Sequence, residues 1–122
     1  MTPEDKKALV KELILSRDVE AARQHPGLAE EIPMLQMLAT AFSDVEVAVP
    51  LQFCDGDWVA TQAIYHQTHT GSFMGIPATN KRIKTEVLMF HRVVDGRIVQ
   101  QHSQANSAEM MGELGAVRRF DH

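Results

Sequence analysis

The chain has a single cysteine, a single tryptophan and a single tyrosine among its 122 residues. One thiol, Cys54, can form neither an internal disulfide nor a cysteine-based zinc site, which favours a reduced, cytoplasmic setting. No apolar run approaches the roughly 20 residues of a membrane span. The amino terminus, MTPEDKK, also lacks the apolar core of a signal peptide. We therefore expect a cytoplasmic protein without a membrane partner.

Positive charge is scarce as well. Lys and Arg number 12 against 16 Asp and Glu, for a net charge of -4. Nucleic acids and anionic membranes both select a basic patch, so we expect neither as the main partner. The length and the hydrophobic share of 44% are those of an ordinary globular domain, and we expect a single domain over residues 1–122.

The first third of the chain predicts helices. Thr2 is a candidate N-cap with Pro3 at the first helical position, which predicts a helix over Pro3–Gln24 with a possible break at Ser16–Asp18. Apolar residues at helical spacing predict a second helix over Leu28–Phe42.

From Val45 the apolar period changes to two, which predicts strands. Pro50 indicates an edge strand or a bulge, and Asp55-Gly56-Asp57 indicates a hairpin. Further strands are expected, in one antiparallel sheet and in this order, at Trp58–His69, Lys81–Val94 and Arg97–Asn106. A short helix over Ala108–Leu114 should follow. Helices followed by an antiparallel meander predict an α+β fold.

The connection His69–Arg82, HTGSFMGIPATNKR, carries the most specific pattern of the chain. It belongs to the frame W-V-x(9)-H-x-G-x(3)-G-x-P-x-T-x(2)-R, which is followed by R-x-V-D-G-x-I. The frame resembles the SnoaL-like polyketide cyclase family of the nuclear transport factor 2-like superfamily. The matching residues are Trp58, Val59, His69, Gly71, Gly75, Pro77, Thr79, Arg82, Arg92, Val94, Asp95, Gly96 and Ile98.

The resemblance implies a strongly curved antiparallel sheet wrapped around N-terminal helices, a cone of the cystatin-like α+β barrel type with a ligand cavity inside. The segments Arg17–Pro26 and Leu35–Val47 also look like parts of the family. Around Gln24–Ile32, however, this chain is shorter than the family pattern, where the first strand and the pocket rim would lie. The cone is therefore expected to be more open, or to be completed by a partner chain.

The resemblance also implies a chemistry, the intramolecular aldol closure of a polyketide ester by acid/base catalysis without metal or organic cofactor. Laid on this chain, the family's catalytic aspartate falls at Ser103 and its pocket histidine at Met89. A second histidine falls at Gln101 and a second aspartate at Asn106. Neither Ser103 nor Met89 can act as a general base near neutral pH. The chain is thus expected to be divergent or inactive as an aldol cyclase.

The side chains that reach the cavity depend on the turn after Val94. A three-residue loop, Val94-Asp95-Gly96, would place the odd positions of both flanking strands on one face. With two residues of the preceding strand, this face gives the expected ligand-lining set: Tyr65, Gln67, Thr85, Val87, Met89, Gln101, Ser103 and Ala105. Tyr65 and Gln67 are equally consistent with plain sheet packing.

His91 is the acid/base candidate on this face, oriented by Gln101. The alternative, a histidine at the rim or in a dimer contact, is favoured by the lack of a carboxylate placed to orient it. His66 and His69 are three residues apart on a strand, so they should point to opposite faces and share no metal. The epoxide hydrolase and ketosteroid isomerase chemistries of this architecture use pocket carboxylates, which the odd face lacks.

Two function hypotheses follow. The first is a binding protein or divergent enzyme for a small hydrophobic carbonyl compound. The second is a non-catalytic dimeric binding or scaffold module. A homodimer is expected in either case, with Ile64, Leu88 and Phe90 on the outer face of the sheet.

Overall fold

The computed structural model describes residues 1–106, 109 and 112–115, and it begins with two capped helices. Helix α1 spans Pro3–Ser16, and Thr2 and Asp5 form a reciprocal capping box at its start. Arg17 ends α1 in a left-handed conformation with φ 52°. Asp18 then caps helix α2, Val19–Arg23, by accepting from two backbone N–H groups. The expected break in the first helix is confirmed.

The second helical stretch differs from the sequence-based expectation in its first turns. Residues Pro26–Glu31 form a 3-10 helix, and helix α3 covers only Ile32–Ala41. Pro33 lies in the first turn of α3, where its missing N–H has no helical partner to lose. A Cβ added at Gly27 would collide with the backbone of Val99 and Gln100, so the 3-10 segment lies directly on the sheet.

Four strands form one antiparallel sheet in chain order, as predicted. They are β1 (Phe42–Asp55), β2 (Trp58–His69), β3 (Arg82–Val94) and β4 (Arg97–Ala105). Pro50 lies where the pairing of edge strand β1 is irregular, between Ala48 and Leu51. This is the position that a residue without an N–H group tolerates in a sheet.

The predicted three-residue loop after β3 is wrong. Val94 pairs with Arg97, so the turn contains only Asp95 and Gly96, both with positive φ (51° and 75°). Two positive φ angles are what a type I′ hairpin turn requires, and Asp-Gly supplies them. A two-residue turn by itself would mix the odd and even faces of the two strands.

A bulge in β4 brings the odd positions of β3 and β4 back to one face. Arg92 pairs with Gln100 whereas Val93 pairs with Ile98, which leaves Val99 as an extra residue. Beyond the bulge the odd positions lie opposite each other, and His91 pairs with Gln101. The predicted common face is therefore present, although for a different reason.

Two hydrophobic clusters pack between the helices and the sheet. The larger cluster lies at the Asp95-Gly96 end of the sheet and contains Val10, Ile14, Ala22, Leu28, Ile32, Val59, Ala63, Met89, Val93 and Ile98. The smaller lies at the opposite end and contains Ala41, Phe42, Phe73, Ile83 and Leu114. We call the helix-covered side of the sheet the inner face.

The outer face is largely solvent-exposed in the single chain. Leu88 and Phe90 are 49% and 50% exposed, and Ile64 is partly buried. Association through this face stays a prediction. Of the terminal helix expected over Ala108–Leu114, Ala108 lies outside the described residues, while Glu109, Gly112 and Glu113 are helical. None of the helices among the described residues is long and apolar enough to cross a bilayer.

His69 hydrogen-bonds to Thr79 in the connection between β2 and β3. Its buried Nδ1 accepts from the Thr79 backbone N–H at 3.3 Å and lies 3.0 Å from Thr79 Oγ1. The same hydroxyl oxygen accepts from the Lys81 N–H at 3.3 Å, which leaves its own proton for His69. Nδ1 of His69 thus ties the connection to β2, while its Nε2 is buried without a partner among the described residues. Exposed His66 points to the other face of the strand, as expected.

Replacing Thr79 by Val should loosen this connection. The isosteric side chain removes one acceptor and one donor, and we expect a loss of about 1–2 kcal/mol in the free energy of unfolding, measured by urea denaturation. The matched control is Thr70→Val in the same connection, whose exposed hydroxyl donates to Ser43. It should change stability by less than about 0.5 kcal/mol. Equal losses in the two variants would contradict the assignment.

Candidate functional site

The inner face brings the predicted ligand-lining residues together by strand register. Tyr65 lies opposite Thr85, and Val87 lies between Ala63 and Ala105. Met89 pairs with Ser103, and His91 pairs with Gln101. Neighbouring side chains on one face of a sheet are about 4.5–5.5 Å apart at Cβ, so each pair is in mutual reach.

The middle of this face carries polar side chains beside the larger hydrophobic cluster, against which Tyr65 and Val87 pack. Gln67 and Thr85 are each 7% exposed, and Tyr65 and Val87 are half-buried. Burial raises the pKa of Tyr65, an effect that the nearby charge of Arg17 partly opposes. The phenol therefore keeps its proton at neutral pH and can donate a hydrogen bond. We call Tyr65, Gln67, Thr85 and Val87 the polar strip.

The strip is open towards β4. Ser103 and Ala105 lie on the inner face but are exposed, because β4 is an edge strand. Met89, in contrast, is 6% exposed and packs within the larger cluster. The predicted lining set is thus divided into a filled end at Met89, a strip in the middle and an open side at Ser103.

His91 is buried at the filled end. It is 4% exposed, and neither its Nδ1 nor the Oε1 of Gln101 has a hydrogen-bond partner in the part of the chain that the structure describes. Burial lowers the pKa of His91 to about 4, and the neighbouring charge of His25, when protonated, acts in the same direction. The ring is consequently neutral near pH 7 and a weak base.

His25 lies near His91 and is a residue that the sequence alone did not single out. Its Nδ1 accepts from the Ile98 N–H at 3.0 Å, so the 3-10 segment is hydrogen-bonded to β4. The pKa of His25 is lowered, first by burial and then by the charge of Arg97. The only signal in the sequence was the His-Pro-Gly turn, which indicates a chain reversal but not its contact with a strand 73 residues away.

Glu113 is a second group that the sequence analysis missed. Its Oε2 is buried without a hydrogen-bond partner among the described residues, and its backbone oxygen accepts from Lys81 Nζ at 3.3 Å. It precedes Leu114, which belongs to the smaller cluster. No three His, Cys, Asp or Glu side chains of residues 1–106, 109 and 112–115 are grouped as metal ligands would be.

The chain matches the family model of SnoaL-like polyketide cyclases over residues 2–114 and belongs to that family. Its architecture, a curved four-stranded antiparallel sheet with N-terminal helices, is the nuclear transport factor 2-like fold of this family.

One curated protein is similar to this chain in sequence, and solved structures share its fold. Aklanonic acid methyl ester cyclase DnrD from Streptomyces peucetius is 29% identical over an alignment of 85 residues that covers 61% of this chain and 59% of that protein. The structure of AclR, a candidate hydroxylase from Streptomyces galilaeus, matches with a TM-score of 0.86 at 22% identity, over 98% of this chain and 91% of that one. A candidate SnoaL-like polyketide cyclase from Jannaschia sp. CCS1 matches with a TM-score of 0.83 at 18% identity, over 95% of each chain.

The buried histidines should make the protein less stable in mild acid. Unfolded histidine takes up a proton near pH 6.5, whereas folded His91 stays neutral down to about pH 4. Stability from this group is therefore fully present above pH 6.5 and is lost as the pH falls towards 4. His91→Phe should reduce the slope of unfolding free energy against pH between 6 and 4.5 by up to about one proton, or 1.4 kcal/mol per pH unit.

Urea titrations at a series of pH values would measure that slope. His25 has the same sign, so the slope should shrink without vanishing. The control is His66→Gln on the exposed outer face, which should leave the slope unchanged. An unchanged slope in His91→Phe would show that this histidine is not held neutral.

Proposed function

We propose that this SnoaL-like protein binds a small hydrophobic carbonyl compound at the polar strip and has lost the aldol closure associated with its family. The observation that carries the proposal is the cross-strand pair Met89–Ser103 on the inner face. The family's histidine and aspartate fall on these two positions. A thioether and a hydroxyl take their places, and neither can accept a proton from carbon near neutral pH.

The other titratable groups of the face do not replace the missing base. His91 has a pKa of about 4 and is shielded from solvent, and its Nδ1 has no orienting carboxylate among the described residues. A general base works best when its pKa is near the working pH, so a neutral imidazole of this kind serves better as a hydrogen-bonding group.

Binding is supported by the composition of the strip. The Tyr65 phenol can donate to a ligand carbonyl, while Val87 and Ala105 offer apolar surface beside it. A few placed polar groups among apolar ones is the usual make-up of a small-molecule site. Ser103 and Ala105, beside the strip, are accessible from solvent.

The relatives indicate which ligands to try. The name of the S. peucetius protein gives aklanonic acid methyl ester as its substrate, an ester of the class that the first hypothesis names. The AclR match carries a hydroxylase name, so the architecture alone does not fix a reaction.

The second candidate, a non-catalytic dimeric binding or scaffold module, is favoured by one observation. The Met89 end of the inner face is filled by side chains of α1 and the 3-10 segment, such as Val10 and Leu28. A filled cone leaves less room for a ligand. Binding of a small molecule at the strip decides between the two candidates.

The binding experiment uses aklanonic acid methyl ester and isothermal titration. Tyr65→Phe should weaken binding about fivefold, the equivalent of one hydrogen bond of about 1 kcal/mol. The control Thr68→Val changes a hydroxyl on the outer face of the same strand and should leave the affinity unchanged. Absence of binding up to the solubility limit would reject the proposal in favour of the scaffold module.

The activity experiment follows ring closure of the same ester. The unmodified protein should give no closure above background, since the general-base contribution it lacks is worth about 10²–10⁴ in rate. Met89→His with Ser103→Asp places both missing groups opposite each other and should gain measurable closure, while losing stability through the buried imidazole. Closure by the unmodified protein that His91→Ala or Glu113→Gln abolishes would show that the base has moved rather than been lost.

A further inference from the structure

The free edge of β4 carries backbone groups without partners. The Asn106 N–H donates to the Glu86 oxygen at 3.1 Å, so the even positions of this strand face β3. Because the direction alternates along an antiparallel strand, the N–H and C=O groups of Gln101, Ser103 and Ala105 point away from the sheet. Within the described part of the chain, no hydrogen bond reaches these outward groups.

The first part of the same edge is covered by the chain itself. His25 accepts from the Ile98 N–H, and Gly27 lies against the backbone of Val99 and Gln100. The 3-10 segment therefore closes the edge up to Gln100. The free stretch begins at Gln101 and ends with the strand at Ala105.

The two edges of the sheet are protected to different degrees. Edge strand β1 contains Pro50, two irregularities of pairing and the charged Glu46. Such features prevent further strands from pairing with an edge. From Gln100 to Ala105, β4 is regular and reads QQHSQA, with no proline, no bulge and no Asp, Glu, Lys or Arg.

We propose that this edge pairs with the same edge of a second copy, antiparallel across a two-fold axis at Ser103. Ser103 then lies opposite the partner's Ser103, and Gln101 lies opposite the partner's Ala105. All three outward positions are matched, giving about six backbone hydrogen bonds. A two-fold interface requires a self-complementary surface, and a segment without Asp, Glu, Lys or Arg opposes itself without repulsion between such charges.

The length of the free stretch favours a second copy over an unrelated strand. The 3-10 segment covers the edge of β4 up to Gln100, so another strand can pair with it only from Gln101 onwards. In the two-fold arrangement the residue opposite Gln101 is the partner's Ala105, the last residue of its strand. The regular part of the partner's strand therefore ends where the 3-10 segment lies.

Pairing of this kind would also complete the candidate site. Ser103 and Ala105 form the open side of the inner face, and the partner's strand would lie directly alongside them. This consequence rests on the proposed function, whereas the association does not.

Ser103→Pro tests the pairing without disturbing β3. The Ser103 N–H points outward, so proline removes no bond within the sheet but blocks the central pair of the interface. Sedimentation velocity over a range of concentrations should give a two-chain mass for the unmodified protein and for Ser103→Ala. Ser103→Pro should be a single chain or dissociate at least tenfold more readily, with an unchanged circular dichroism spectrum.

Cross-linking tests the register independently of stability. In a Cys54→Ser background, Ser103→Cys treated with a short bis-maleimide should give dimers in high yield. Glu30→Cys, on the exposed side of the 3-10 segment, should give none. Phe90→Glu, on the outer face, should leave the dimer intact.

Three results would overturn the proposal: a single-chain mass for the unmodified protein at high micromolar concentration, a dimer that survives Ser103→Pro, or a dimer that only Phe90→Glu dissociates. The last would place the interface on the outer face. Aklanonic acid methyl ester titrated into the unmodified protein above and below the concentration at which the dimer dissociates separates the two claims. Equal affinity in both ranges would leave the proposed ligand site intact without the partner's strand.

Discussion

The register between β3 and β4 is the constraint on which the candidate site depends. The Asp95-Gly96 turn and the extra residue Val99 together decide that His91 faces Gln101 and that Met89 faces Ser103. A slip of one residue would move every one of these side chains to the other face of the sheet. Gly27 packs against the bulge at Val99 from the 3-10 segment. Only a glycine allows this contact, because a Cβ would collide with the backbone of β4.

This register produces an inner face with two different ends. At the Met89 end, helices close over apolar side chains and over a neutral His91 whose burial disfavours charge. Towards β4 the face stays open, and polar Ser103 remains in contact with solvent. A hydrophobic core and an accessible ligand surface compete for the same side of a small sheet. In this chain Met89 belongs to the core, whereas its cross-strand partner Ser103 is exposed.

Much of the fold was predictable because its signals are local. Thr2 and Asp18 cap the helices they precede, and the strand limits of Trp58–His69 match the structure. The errors came from geometry that propensity does not fix. Asp-Gly fits a two-residue turn and a longer loop alike, and the stretch Leu28–Phe42 has helical spacing whether its first turns are 3-10 or α.

The sequence by itself determined the family, because membership depends on which residue types stand at which positions. It also determined that His66 and His69 point to opposite faces, since the alternation of side chains along a strand is a local pattern. Only the tertiary structure decided that His25 hydrogen-bonds to β4, that His91 is buried with no partner for Nδ1 among the described residues, and that none of these residues covers the β4 edge beyond Gln100. Each of these depends on contacts between segments distant in the chain, and solvent access and pKa follow from packing rather than from residue type.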